Sequence, residues 1–221
     1  MAFKEELSQL QSLHIVASRF KHMVEYEPDS WKLFEPSKFI YSYFSFNTFY
    51  SVDWKASIEN KQVINYQFSE NDAENISEFN KIKNLIEFIH EHLTREQLIQ
   101  CLQEIRFNMP LDRVILELEN IQPDSRISQS DKDEFIKAFK QAFENQNLTA
   151  RGHKKLIRLI SSVRNNIFHG TKDIIQMSDS KQRIRLKIYT QVLTLTNSLL
   201  FLALRNVTPE LEVPSEFRIR L

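Results

Sequence analysis

An all-α fold is predicted from three observations: the scarcity of turn residues, the spacing of the apolar positions, and the helix-capping signals between them. The 221 residues include only two glycines and six prolines, and a chain so poor in turn formers has long elements and few tight corners. Its hydrophobic content of 42% is enough for one sizeable core at this length. Apolar residues recur every three to four positions over most of the chain, which is the helical period.

Leu7, Leu10, Leu13, Val16, Phe20 and Val24 line one face of a first amphipathic helix over residues 3–25. Pro28 and Pro36 bracket the break after it. A second helix is predicted from about Ser37 to about Ile58. It carries Phe39, Ile40, Tyr43, Phe44, Phe46, Phe49, Tyr50 and Trp54, aromatic on most of its circumference, as suits a central core helix or a subunit interface. Polar residues 59–72 follow, with a short extended piece at Val63 to Phe68.

Ile76, Phe79, Ile82, Ile86 and Ile89 restore the helical period between Ala73 and Leu93. Thr94 with Gln97 has the form of a capping box and should open a helix through Ile105. Pro110 opens a shorter one ending near Ile121. After the loop QPDSRISQSD, Ser130 or Asp131 caps a helix to about Phe143. The next begins at Thr149 or Ala150, keeps Leu156, Leu159, Ile160, Val163 and Ile167 on one stripe, and stops at Gly170. A last long helix runs from about Ser180 to Asn206, followed by an irregular tail with Pro209 and Pro214.

The single cysteine, Cys101, has no partner for an intrachain disulfide or a shared metal, which fits a reducing, cytoplasmic setting. The run from Val192 to Leu204 contains Thr194, Thr196, Asn197 and Ser198 and falls short of the ~20 apolar residues of a membrane span. Formal net charge is zero, so no global field favours a polyanion. Locally, however, Arg151, Lys154, Lys155, Arg158, Arg164 and Lys172 face only Asp173 in the same stretch, whereas Glu59 to Glu104 is acidic. Either a basic surface holds a polyanion there, or two helix faces of opposite sign pack side by side.

The motif with chemical content is RNNIFHG at 164–170. At about 100° per residue Asn165 and His169 lie nearly above one another, with Arg164 beside them. Histidine transfers protons near neutral pH, and the arginine fork binds two phosphoryl oxygens as charge builds on a phosphorane. One histidine and one arginine are few for a step using both a base and an acid, but a two-fold dimer would supply two of each. The competing structural reading is a helix end: cations favour the carboxyl terminus and glycine is the usual stop.

Other histidines carry less. His90 and His92 fall on different helix faces and read as surface residues. His14 and His22 have no completing ligands, and His153, at the basic start of its helix, reads as exposed. No metal site is expected. The aromatic run reads as core and not as a base-stacking platform.

Arg-Asn, a spacer of Asn-Ile-Phe, and His-Gly at the end of a long helix resemble the HEPN family, in which arginine, a polar follower and a histidine form the hallmark. The stretch FIYSYFSFNTFYSVDW, with Asn47, Tyr50, Asp53 and Trp54, is similar to an early helix of prokaryotic members. The resemblance implies a HEPN-like bundle of long antiparallel helices over 36–206, with a helical extension at 1–35 and a tail at 207–221. It further implies a homodimer acting as a metal-independent endoribonuclease without a cofactor, in a toxin-antitoxin or phage-defence setting with an antitoxin or defence partner. Arg164, Asn165 and His169 map onto the catalytic positions, and Lys155, Arg158 and Lys172 would hold RNA. Thr171 stands where one toxin subgroup has a tyrosine modified by its antitoxin, so that form of regulation is not expected. A non-catalytic dimerisation, nucleotide-binding or partner-binding module is the alternative.

Overall fold

The computed structural model describes residues 31–66, 76–124, 127–168 and 179–209. The expected helix at 3–25, His169, Gly170, Lys172 and the tail beyond 209 lie outside them. Among the described residues the chain is all-α, with eight helices: α1 (Trp31–Tyr50), α2 (Trp54–Asn60), α3 (Glu78–His92), α4 (Arg95–Glu104), α5 (Leu111–Glu119), α6 (Gln129–Phe143), α7 (Ala150–Phe168) and α8 (Ser180–Val207). No helix among them is long and apolar enough to cross a membrane.

Helix α1 starts upstream of Pro36 and contains it, so it runs across the expected boundary at 35/36. Phe39, Tyr43, Phe46 and Tyr50 follow a spacing of four, three and four and are buried together. Burying each such ring contributes on the order of 2 to 3 kcal/mol before entropy is charged. Against this face lies α8: Phe39 meets Tyr189 at 6.2 Å and Phe49 meets Phe201 at 5.2 Å. Both sequence numbers rise together, so α1 and α8 run in the same sense. The expectation of antiparallel long helices therefore fails for this pair. Ring packing has no polarity, and an aromatic stripe specifies a buried face without specifying the direction of the helix laid on it.

The predicted single helix over 37–58 is two helices. The first ends at Tyr50, and Asp53 caps the second, its Oδ1 accepting from Ala56 N at 3.0 Å. The Trp54 indole donates to the Phe49 carbonyl at 2.9 Å, satisfying an oxygen at the end of α1. Between them Val52 pairs with Asn65 as an isolated antiparallel bridge. Lys61 then closes α2 in the left-handed region at φ 51°, where glycine is the usual residue.

The remaining boundaries follow local chemistry. Thr94 and Gln97 form the expected capping box, and Pro110 precedes α5. For α6 the cap is Ser128, two to three residues ahead of the expected position, since its hydroxyl and Asp131 satisfy each other's backbone donors. Thr149 Oγ1 accepts from Gly152 N at 3.1 Å at the start of α7, and Asp179 caps α8. A Cβ at Gly152 would stand 3.3 Å from Thr149 Oγ1, tight against the cap, but 3.8 Å from Ala138 Cβ, an ordinary contact with α6.

Helix α7 is antiparallel to two neighbours. Lys154 pairs with Glu87 and Arg164 with Glu78 on α3, while Lys155 pairs with Glu134 and Arg158 with Asp131 on α6. Arg185 of α8 is buried and donates to the Glu117 and Asn120 carbonyls at 3.2 and 2.8 Å. A cation thereby meets the carbonyls at the carboxyl end of α5.

Candidate functional site around Arg164

Arg164 lies one turn before the end of α7, half-buried, with 22% of its side chain exposed. Three elements converge on its guanidinium. Its Nη2 donates to Glu78 Oε1 at the start of α3 (2.9 Å), its Nη1 donates to Asn165 Oδ1 (2.7 Å), and its Cζ sits 4.6 Å from the centroid of the Tyr43 ring on α1. The last of these is a cation–π contact, stronger where water is partly excluded. Partial burial opposes the guanidinium charge, but Tyr43 and Glu78 outweigh it and hold the pKa above the ordinary arginine value.

Glu78 Oε1 is the centre of the cluster. It accepts from Tyr50 at 2.6 Å and from Tyr43 at 3.1 Å in addition to Arg164. Tyr43 and Tyr50 are seven residues apart and so share a face of α1. The Tyr43 hydroxyl also lies 3.0 Å from Ser161 Oγ on α7. Burial first and the Glu78 carboxylate second push the Tyr43 phenol up to about 12. Tyr50 is raised too, by burial and then by Tyr43. Both therefore remain hydroxyl donors across the neutral range.

The structure joins Arg164 to its neighbour Asn165 by a hydrogen bond and surrounds them with Glu78, Tyr43, Tyr50 and Ser161, none of which the sequence singles out for this site. The two tyrosines carried a usable signal, because a buried phenol needs a polar partner. Glu78 carried none: it is 86 residues from Arg164. The second asparagine of the motif has a separate task. Asn166 is buried and its Nδ2 donates to Asp124 Oδ2 at 2.7 Å, tying α7 to the loop after α5. A cleft of about 410 Å³, lined in part by Asp124, Val163, Arg185 and Tyr189, adjoins this tie.

The basic face of α7 is flanked by acids. Lys154 pairs with Glu87 at 3.2 Å, Lys155 with Glu134 at 2.8 Å, and Arg158 with Asp131 at 3.3 Å. Helix faces of opposite sign do pack side by side here. All three pairs are partly solvated, so each contributes little to stability.

Two histidine expectations are corrected. His153 is not exposed but fully buried, and His90 is half-buried against it. Thr196 Oγ1 donates to the Val192 carbonyl at 2.9 Å, so its oxygen accepts from His153 Nε2–H at 2.8 Å. That leaves His153 Nδ1 as the acceptor for His90 Nε2–H at 3.2 Å. Burial, with a contribution from His90, pushes His153 down to about 3. Burial and then Lys154 push His90 down to about 4. No group of three or more potential metal ligands occurs among the described residues.

No family model, no curated protein and no solved structure matches this chain.

Proposed function

We propose that this chain is a metal-independent endoribonuclease of HEPN type. The observation that supports this reading best is the state of Arg164: a charged guanidinium at the end of a long helix, oriented from three sides, five residues before His169 in sequence. An arginine held in this way meets a phosphodiester without first losing side-chain freedom.

In this mechanism the ribose 2′-oxygen attacks the adjacent phosphorus while the P–O5′ bond breaks. His169 of one copy takes the 2′-hydroxyl proton and His169 of a second copy gives a proton to the departing 5′-oxygen. Arg164 stabilises the charge on the phosphorane, and Asn165 orients the histidine. Lys155, Arg158 and Lys172 hold the RNA backbone, the first two by exchanging their carboxylate partners for phosphate. The products are a 2′,3′-cyclic phosphate and a 5′-hydroxyl. A homodimer completes the site, in a toxin-antitoxin or phage-defence setting within the cytoplasm.

The test is incubation of the purified chain with RNA in the presence of a chelator. Cleavage leaving a 2′,3′-cyclic phosphate, abolished in His169→Ala and Arg164→Ala, is expected. Chelator-sensitive cleavage, or an active His169→Ala, would sink the mechanism. A second reading, a non-catalytic dimerisation, nucleotide-binding or partner-binding module, is favoured by the ion pairs that occupy Lys154, Lys155, Arg158 and Arg164. Under it, induced expression is tolerated equally in the wild type and both variants, whereas the enzyme reading predicts toxicity that either substitution relieves.

A further inference from the structure

The RNNIFHG motif does not account for the groups that face Arg164 from α1 and α3. A lone glutamate at 2.9 Å from an arginine, both partly exposed, is a weak and mobile pairing. This one differs because the same Glu78 oxygen is also held by two hydroxyls from one face of α1. Glu78 is held from α1 as well as by Arg164.

We propose that Glu78, held by Tyr43 and Tyr50, is a positioning residue that sets the orientation of the Arg164 guanidinium. The carboxylate fixes Nη2, Asn165 fixes Nη1, and the Tyr43 ring fixes the plane. Two hydrogen bonds define the direction of the fork and the ring removes its rotation about that direction. Tyr43 is tied in turn to Ser161, one turn before Arg164 on α7, so clamp and arginine move together. The consequence for catalysis rests on the ribonuclease reading given above, but the clamp itself does not. Because a phosphodiester is recognised through the geometry of the fork, a loosened guanidinium lowers turnover more than it lowers RNA affinity.

The experiment compares wild type, Glu78→Gln and Tyr50→Phe by two readouts. The first is saturation kinetics on RNA; the second is the rate of Arg164 guanidinium rotation, followed by side-chain nitrogen NMR with the signal assigned by Arg164→Lys. The carboxamide in Glu78→Gln keeps size and one acceptor oxygen but removes the charge. It is expected to lower kcat roughly tenfold to a hundredfold with KM changed less than about threefold, and to speed guanidinium rotation. Tyr50→Phe, which deletes the 2.6 Å bond alone, is expected to shift both readouts the same way to a smaller extent, and it decides the matter if Glu78→Gln does not fold. Unchanged rotation in a folded variant overturns the clamp, and an unchanged kcat in an active enzyme overturns its consequence for turnover. If the wild type cleaves no RNA, the ribonuclease reading falls, and the rotation rates alone decide whether Glu78 positions Arg164.

Discussion

Replacing His153 with leucine should make the protein less sensitive to acid than the wild type, although less stable at neutral pH. His153 is fully buried and accepts and donates one hydrogen bond each, to His90 and Thr196. In the unfolded chain its pKa is 6.5; in the folded chain it is pushed down to about 3. A histidine whose folded pKa is lowered adds stability that is fully present above pH 6.5 and is lost as pH falls toward 3, because the unfolded state takes up the proton first. At about 1.36 kcal/mol per pH unit the whole span is on the order of 5 kcal/mol, and the part lost between pH 7.5 and 4.5 is roughly 2.5 kcal/mol. His90 adds to this with the same sign, but it is partly solvated and its share is smaller. At pH 7.5, His153→Leu forfeits both hydrogen bonds and should cost about 1 to 3 kcal/mol. The assay is urea unfolding followed by circular dichroism at several pH values between 7.5 and 4.5. Carboxylates titrate alike in both proteins, so the difference between the two curves isolates the histidines. The gap should close by roughly 2 kcal/mol on acidification. Parallel curves would refute the buried, neutral pair.

Three further outcomes are expected. Asn166→Ala removes a buried 2.7 Å bond and leaves Asp124 short of a donor, which should cost about 1 to 3 kcal/mol in urea unfolding; a loss under about 0.5 kcal/mol would show that the tie is dispensable. Arg185→Met deprives the Glu117 and Asn120 carbonyls of their donor and should destabilise by a similar ~1 to 3 kcal/mol, with increased hydrogen exchange confined first to the last turn of α5. Lys61→Gly relieves a left-handed residue at φ 51° and should raise stability by up to about 1 kcal/mol, read as a higher melting temperature; a lower one would mean that backbone entropy outweighs the relief.

How much could be read from the sequence depended on the range of the interaction. The Thr94–Gln97 box, Pro110 and the start of α8 were legible because each signal acts within one turn. The break between α1 and α2 was not, since the aromatic pattern runs through it and the deciding contacts are the Asp53 cap and the bridge from Val52 to Asn65. His153 was misjudged because Arg151, Lys154 and Lys155 surround it, yet it stands three, seven and ten residues before Leu156, Ile160 and Val163, on the buried stripe of α7. Arg164 and Asn165 could be found from their motif. Glu78, Tyr43 and Tyr50 could not be tied to them, because contacts across 86 or more residues are created by the packing of α1, α3 and α7.

Helix α7 is pinned near both ends by buried side chains, His153 toward its start and Asn166 toward its finish. Thirteen residues separate the pins, about 20 Å of helix. One pin alone would still let the helix turn or creep along its axis; two that point to different partners forbid both movements. A slip by a single residue would strand a histidine and an asparagine in the core at the same time. The axial register of α7, and with it the height at which Arg164 is presented, is therefore set by two residues that do not touch the Arg164 cluster.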